Sequence, residues 1–204
     1  MIKQIQEISR YRRKQRSTKN AVLVICEGRN KTELNYLENF KRREMKYRPI
    51  FKPCESTDVK SMTEKANFIR EREGLSTSDG DKIFVLVDLD LDKNKESQIT
   101  ELKSKYNDIT FITSNPCFEV WFILHFEHCP VLNSSKDTKK HLKKFIPNYE
   151  EGRDVYSSLD INTAINQNSI LRKSIENCGY TIGTIDANPH TQIDKLIFLL
   201  LEND

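Results

Sequence analysis

Val22-Leu23-Val24-Ile25-Cys26-Glu27-Gly28 decides how this chain is read. An apolar, largely β-branched run that stops at an acid and a glycine predicts a buried strand, too short for a buried helix. Asn30-Lys31-Thr32-Glu33 follows with the spacing of a capping box, Asn as the cap and Glu three residues on, and predicts a helix start. Glu27 is thereby left at the carboxyl end of a core strand beside a helix N-terminus. In an open parallel sheet that crevice is where ligands bind.

A second stretch repeats the pattern with more charge. Lys82-Ile83-Phe84-Val85-Leu86-Val87 predicts another buried strand and runs into Asp88-Leu89-Asp90-Leu91-Asp92. Residues two apart on an extended chain point to one side, so Asp88, Asp90 and Asp92 are expected to aim at one spot. Like charges held that close repel each other, and a divalent cation relieves the repulsion. Mg²⁺ suits the arrangement, being a hard ion that takes one or two carboxylates and completes its shell with water and phosphate oxygens. The alternative is a pair of solvated acidic loops. Both acidic turns fall at the same kind of position on two strands, which favours a shared site.

The alternation of elements predicts a single α/β core. Strands are expected at 21–26, 47–53, 82–88 and 109–112, the second at an edge because of Pro49 and its charges. Helices are expected at 31–45, burying Leu34, Leu37 and Phe40 with Tyr36 elsewhere; after a Ser56 or Thr57 cap, with Val59, Met62, Ala66 and Ile69 inward; and at 96–106. Connections of this length give a parallel four-stranded sheet with right-handed crossovers. Placing the ends of strands one and three side by side gives the order 2-1-3-4. The segment 116–126 is apolar almost all round and predicts a buried helix with Pro116 in its first turn. Glu119 is its one charged residue and needs a partner there.

From Val131 onward the sequence turns to polar loops and helices: a basic helix at 138–146, a longer one at 160–178, and a last one at 189–202 capped by Asn188. Ile193, Leu196, Ile197 and Leu200 give the last helix a core face. The expected organisation is a basic arm over 1–19, an α/β core over 20–130, a helical appendage over 131–187, and a terminal helix returning to the core over 188–204.

Bulk properties narrow the class. The chain has 204 residues, 37% of them hydrophobic and 31% charged, enough for one domain with a real core. No apolar run approaches the ~20 residues of a membrane span, and no signal-peptide core follows Met1. Five cysteines, an odd number without Cys-x-x-Cys spacing, read as reduced thiols in a cytoplasm rather than as a disulfide framework. Cys117, His125, His128 and Cys129 lack zinc-site spacing, and Gly28-Arg29-Asn30-Lys31-Thr32 lacks the first glycine of a P-loop. Positive charge gathers in residues 1–20, with Arg12 and Arg13, and in residues 41–48, with Arg42 and Arg43. Either cluster can be a phosphate-binding surface or a solvated one.

Glu27 at the end of a first strand, with Asp88 and Asp90 at the end of a later one, resembles the Toprim domain of topoisomerases, primases and OLD-type nucleases. More narrowly, Cys26-Glu27-Gly28 with Lys31-Thr32-Glu33-Leu34-Asn35-Tyr36, the Val87-Asp88 turn, Ser114-Asn115-Pro116-Cys117-Phe118-Glu119-Val120-Trp121-Phe122-Ile123-Leu124-His125-Phe126, and Asn188-Pro189-His190-Thr191 resemble RloB-like proteins. These are Toprim-type proteins of bacterial restriction and phage-defence loci, and the resemblance runs over about residues 20–202. It implies a Mg²⁺- or Mn²⁺-dependent nuclease acting on DNA, tRNA or another RNA, beside a partner ABC-type ATPase that controls it. On that reading Asp88 and Asp90 hold a metal with help from Glu119 and Asp92. Glu27 transfers a proton or joins the metal shell, and Arg29 and Lys31 receive phosphate where the first helix opens. A non-catalytic Toprim-like module that binds the ATPase or nucleic acid is the alternative, and nucleotidyl transfer is a third reading.

Overall fold

A computed structural model describes residues 19–28 and 31–203. Its centre is a five-stranded sheet in the order β2-β1-β3-β4-β5, formed by Ala21–Glu27 (β1), Arg48–Cys54 (β2), Lys82–Asp88 (β3), Thr110–Asn115 (β4) and His190–Thr191 (β5). The first four strands are parallel and β5 is antiparallel, Asn115 facing His190 and Ser114 facing Thr191. The sheet thus exceeds the four strands expected. Two residues carry no periodicity, and the Asn188-Pro189 segment ahead of them read as a helix start. The peptide between Asn188 and Pro189 is cis, and the Asn188 side chain donates to the Leu132 carbonyl at 2.8 Å rather than capping a helix.

Alternation along β1 explains why both faces of the sheet are covered. Val22, Val24 and Cys26 pack with Leu37, Trp121, Ile197 and Leu200, and Leu23 and Ile25 pack with Val59, Met62, Ile99 and Leu102. The first group comes from helices α1 (Thr32–Glu38), α4 (Glu119–Ile123) and α7 (Ile193–Leu201), the second from α2 (Val59–Glu73) and α3 (Lys93–Lys105). Helices α5 (Ser135–Leu142) and α6 (Ile161–Asn177) add Leu142 and Leu171 to the first layer. The core face expected of α7 is fully buried at Ile193, Leu196, Ile197 and Leu200.

Local chemistry moves several boundaries. Asp58 caps α2 by accepting from the Ser61 N–H at 2.8 Å, in place of Ser56 or Thr57. Helix α1 ends at Glu38, about two turns short of the expected 45, and its cap residue Lys31 sits in the left-handed region at φ 57° with no side-chain cap bond. Asn30, the expected cap, lies outside the described residues. Tyr36, expected away from the core, is buried, its ring packed edge-on against Phe40, Phe118 and Phe122. The helix expected over 116–126 shortens to the five residues Glu119–Ile123, and β4, expected to end at 112, runs on to Asn115.

Candidate functional site

Strand register brings the two acidic turns together. Ile25 pairs with Val85 on the parallel neighbours β1 and β3, so Glu27 and Asp88, the last residues of their strands, leave the sheet at one edge. Gly28 is required at the exit from β1. Its N–H donates to the Cys54 carbonyl at 2.7 Å, and a Cβ there would meet that oxygen at 2.8 Å and the Pro53 Cβ at 2.9 Å. No side chain fits between the ends of β1 and β2.

After β3 the extended conformation stops. Asp90 and Leu91 are both left-handed, at φ 52° and 59°. The backbone N–H groups of Leu89 and Asp90 donate to the carbonyls of Ser114 and Pro116, each at 2.8 Å. Alternation therefore no longer decides where the acids point. Asp90 still reaches the site, its carboxylate taken by Lys95 Nζ at 2.5 Å and by the Ser135 hydroxyl at 2.5 Å. Asp92 does not. It caps α3, accepting from the Asn94 N–H at 2.8 Å.

Glu27, Glu33, Asp88, Asp90, Glu119 and Glu151 line one pocket of about 110 Å³, together with Thr32, Cys117, Phe118, Ser135 and Lys139. Glu33 and Tyr36 share a face of α1 at the i, i+3 spacing. The Tyr36 hydroxyl accepts the indole N–H of Trp121 at 2.7 Å, tying α1 to α4 and holding Glu33 and Glu119 over the same space. Glu119 is 3% exposed and accepts the Tyr149 hydroxyl at 2.7 Å, with Lys139 Nζ 3.8 Å away. Lys139 also pairs with Glu151. The loop that carries Glu151 is clamped to α1 by Gly152, whose N–H donates to Thr32 Oγ1 at 2.9 Å and whose carbonyl accepts from Asn35 at 2.5 Å.

Crowding is visible in the acidities. Burial, then the charges of Glu33, Glu119 and Asp90, hold the Asp88 carboxyl well above the ordinary range, against the Phe118 N–H that lowers it. Glu33 is pushed up to about 8, first by burial and then by Glu119 and Glu27, with Lys139 and its own backbone N–H pulling the other way. Burial acts to lower the Lys139 ammonium, but Glu119 and Glu151 override it and raise it. Such a cluster favours an added cation. Its donors are carboxylate oxygens of the hard kind that Mg²⁺ and Mn²⁺ accept. Among the described residues no three Asp, Glu, His or Cys side chains gather into a preformed cage. The fit is one of donor chemistry: Asp88, Asp90 and Glu119 are the residues that could hold an ion, with Glu33 beside them.

Of the cationic residues expected at phosphate, Lys31 is exposed at the start of α1 and does not line the pocket. Arg42 and Arg43 are exposed in the turn between α1 and β2. That turn lies at the amino end of the sheet, where Ala21 faces Arg48 and Lys19 donates to the Met45 carbonyl, opposite the acidic edge. Arg12, Arg13 and Arg29 lie outside the described residues. Glu33, Lys139, Tyr149 and Glu151 were not singled out by sequence as members of the site. Glu33 stood in the quoted Lys31–Tyr36 motif but read as a cap, and Lys139 stood in the basic helix. Nothing local marks Tyr149 or Glu151, which reach the pocket through contacts with Glu119 and α1.

Fold and site together define an α/β protein whose mostly parallel sheet carries an acidic pocket at its carboxyl edge. The chain belongs to the RloB-like protein family, whose model matches residues 22–200. Nothing among curated proteins and nothing among solved structures matches it. Among the described residues no helix is long and apolar enough to cross a membrane.

Proposed function

We propose that this protein is a Toprim-type nuclease that uses Mg²⁺ or Mn²⁺ to cleave nucleic-acid phosphodiesters in bacterial phage defence, under the control of a partner ABC-type ATPase. The observation that carries the reading is the convergence of Glu27, Asp88, Asp90 and Glu119 on one pocket at the carboxyl edge of the sheet. Membership of the RloB-like family supports the Toprim and defence assignments.

Asp88, Asp90 and Glu119 hold the metal. A divalent ion bound there supplies Lewis acidity at the phosphate and countercharge for the leaving oxygen. Glu27, at the rim and only partly buried, moves the proton between its carboxylate and the attacking or departing oxygen. Lys95 steadies the acidic turn from behind, donating to the Asp88 carbonyl at 2.7 Å as well as to the Asp90 carboxylate. The Tyr149 hydroxyl orients Glu119.

A second reading, a non-catalytic module that binds the ATPase or nucleic acid, draws support from Lys139 and Tyr149, which already answer the charge of Glu119. Labelled duplex DNA, single-stranded DNA and tRNA are incubated with the protein, with and without the ATPase and ATP, in Mg²⁺, Mn²⁺ or EDTA. Cleavage that requires the metal and stops in EDTA is expected. A folded protein that cuts none of them under any of these conditions leaves the binding module.

A further inference from the structure

The acidic pocket poses an electrostatic problem for the function proposed above, because its carboxylates repel the phosphates of a nucleic acid. Cations must hold the strand beside the site. The arginines of the turn between α1 and β2 lie at the opposite end of the sheet, so the holding surface has to be sought nearer.

Helix α5 is docked into the pocket from one side: Ser135 donates to Asp90, and Lys139 pairs with Glu119 and Glu151. At about 100° per residue, Ser135 and Lys139 lie within about 40° of each other on the helix. Lys143, Lys136 and Lys140 follow round the same side at about 80°, 100° and 140° from Ser135, forming a stripe continuous with the pocket-facing edge. Lys143 belongs to it because its backbone is still helical. Thr138 and Leu142 fall on the other flank and are buried, so the helix cannot roll the stripe inward. The three lysines are exposed and, among the described residues, none has an ion-pair or hydrogen-bond partner from its side chain. Neighbouring acids are already engaged, Asp137 with Ser134 and Glu127 with His141.

We infer that this face of α5 is the surface that receives the phosphate backbone of a nucleic acid and lays it across the acidic pocket. The inference rests on the nuclease reading and names where its substrate binds. From Lys136 to Lys143 the helix advances about 10 Å, enough to span roughly three phosphates of one strand. An unpaired row of that length beside a phosphodiester-cleaving site suits a polyanion tracking past the pocket. Nucleic-acid backbone has that form.

The test compares the full-length protein with a triple variant, Lys136→Gln with Lys140→Gln and Lys143→Gln, and with Arg42→Gln/Arg43→Gln as a control at the far end of the sheet. Fluorescence anisotropy with labelled duplex DNA and single-stranded RNA is read without divalent metal, from about 50 to about 200 mM salt. The triple variant binds more weakly, and its log–log salt slope is shallower by up to about 2.7 on duplex and about 2.1 on single strands, at 0.9 and 0.7 per contact. The control changes neither number appreciably. Unaltered affinity and slope in the triple variant overturn the assignment, and so does an equal loss in both variants, which reports only total charge. A wild-type protein that binds neither nucleic acid overturns the surface and the nuclease reading together. Binding through α5 without cleavage in the metal assay removes the nuclease reading alone. Thermal unfolding on the same samples confirms that the substitutions, all exposed, leave the fold intact.

Discussion

Tyr149 donates its hydroxyl to Glu119 Oε1 at 2.7 Å, joining two residues thirty positions apart, both buried. Burial, then the Glu119 charge, holds the Tyr149 phenol well above its ordinary acidity range, so the hydroxyl stays a donor at any working pH. The bond is what allows a carboxylate to sit on an otherwise apolar helix turn among Phe118, Val120, Trp121 and Phe122. It also fixes the direction in which that carboxylate faces the pocket.

Tyr149→Phe keeps the ring and removes the donor. A buried charged acceptor left without it costs about 1–3 kcal/mol. Urea unfolding is expected to show a lower midpoint at unchanged m-value, the sign of lost stability without a change in the unfolded state. In the Tyr149→Phe background, Glu119→Gln should then cost less than it does in the wild type, since the charge that lacked its donor is gone. Equal costs in the two backgrounds would show that the pair is not coupled.

The pH dependence of stability tests Glu33 and the acids coupled to it. Its carboxyl is raised to about 8 from an ordinary 4.5, so the folded protein holds a proton that the unfolded chain has lost. Between those values stability therefore falls as pH rises, and above about 8 it levels off at the lower value. His125 and His190 act the other way. Burial lowers both to about 4 from 6.5, so their contribution is complete above 6.5 and is lost as pH falls toward 4. Glu33→Gln leaves the two histidines in place, and the difference between wild type and variant reports Glu33 together with the part of the Asp88 shift that the Glu33 charge causes, which has the same sign. Without added metal, the wild type should lose ground to Glu33→Gln steadily from about 4.5 to about 8. A flat difference across that window would mean the carboxylate is ionised at no cost in the folded state.

How much of this was legible in the sequence depends on the range of the interaction. The buried strands β1 and β3 and the apolar face of α7 were written in local periodicity, and the acids that end the strands followed from them. Boundaries set by one side chain's choice of partner were not. Asp92 reads as a third acid in an Asp-x-Asp-x-Asp run, yet Asp90 and Leu91 turn left-handed and send it to cap α3. Glu33 reads as half of a capping box, yet the tie between Tyr36 and Trp121 rotates its face of α1 into the pocket. β5 is two residues long and exists only because β4 is there to pair with it. The partners of Glu119 come from residues 139 and 149, whose local sequence says nothing of an acid on α4.

The sharpest separation of enzyme from binding module comes from two substitutions at the carboxyl edge of the sheet. Glu27→Gln keeps size and most hydrogen bonding while removing the charge and the proton acceptor. If Glu27 moves the proton, cleavage should fall by roughly 10²- to 10⁴-fold, the usual worth of such a group. Asp88→Asn should instead weaken metal binding itself, so excess Mn²⁺ recovers part of its loss but none of that of Glu27→Gln. Folding should survive both. Asp88 already sits among Glu33, Glu119 and Asp90, whose charges oppose its ionisation, and removing its own charge relieves that repulsion. Thermal unfolding and cleavage are measured on the same preparations, with and without the ATPase proposed as a partner. Wild-type-like cleavage by Glu27→Gln would remove the proton-transfer role and leave Glu27 a structural or metal-holding one. Identical Mn²⁺ responses from the two variants would place both carboxylates in the same role.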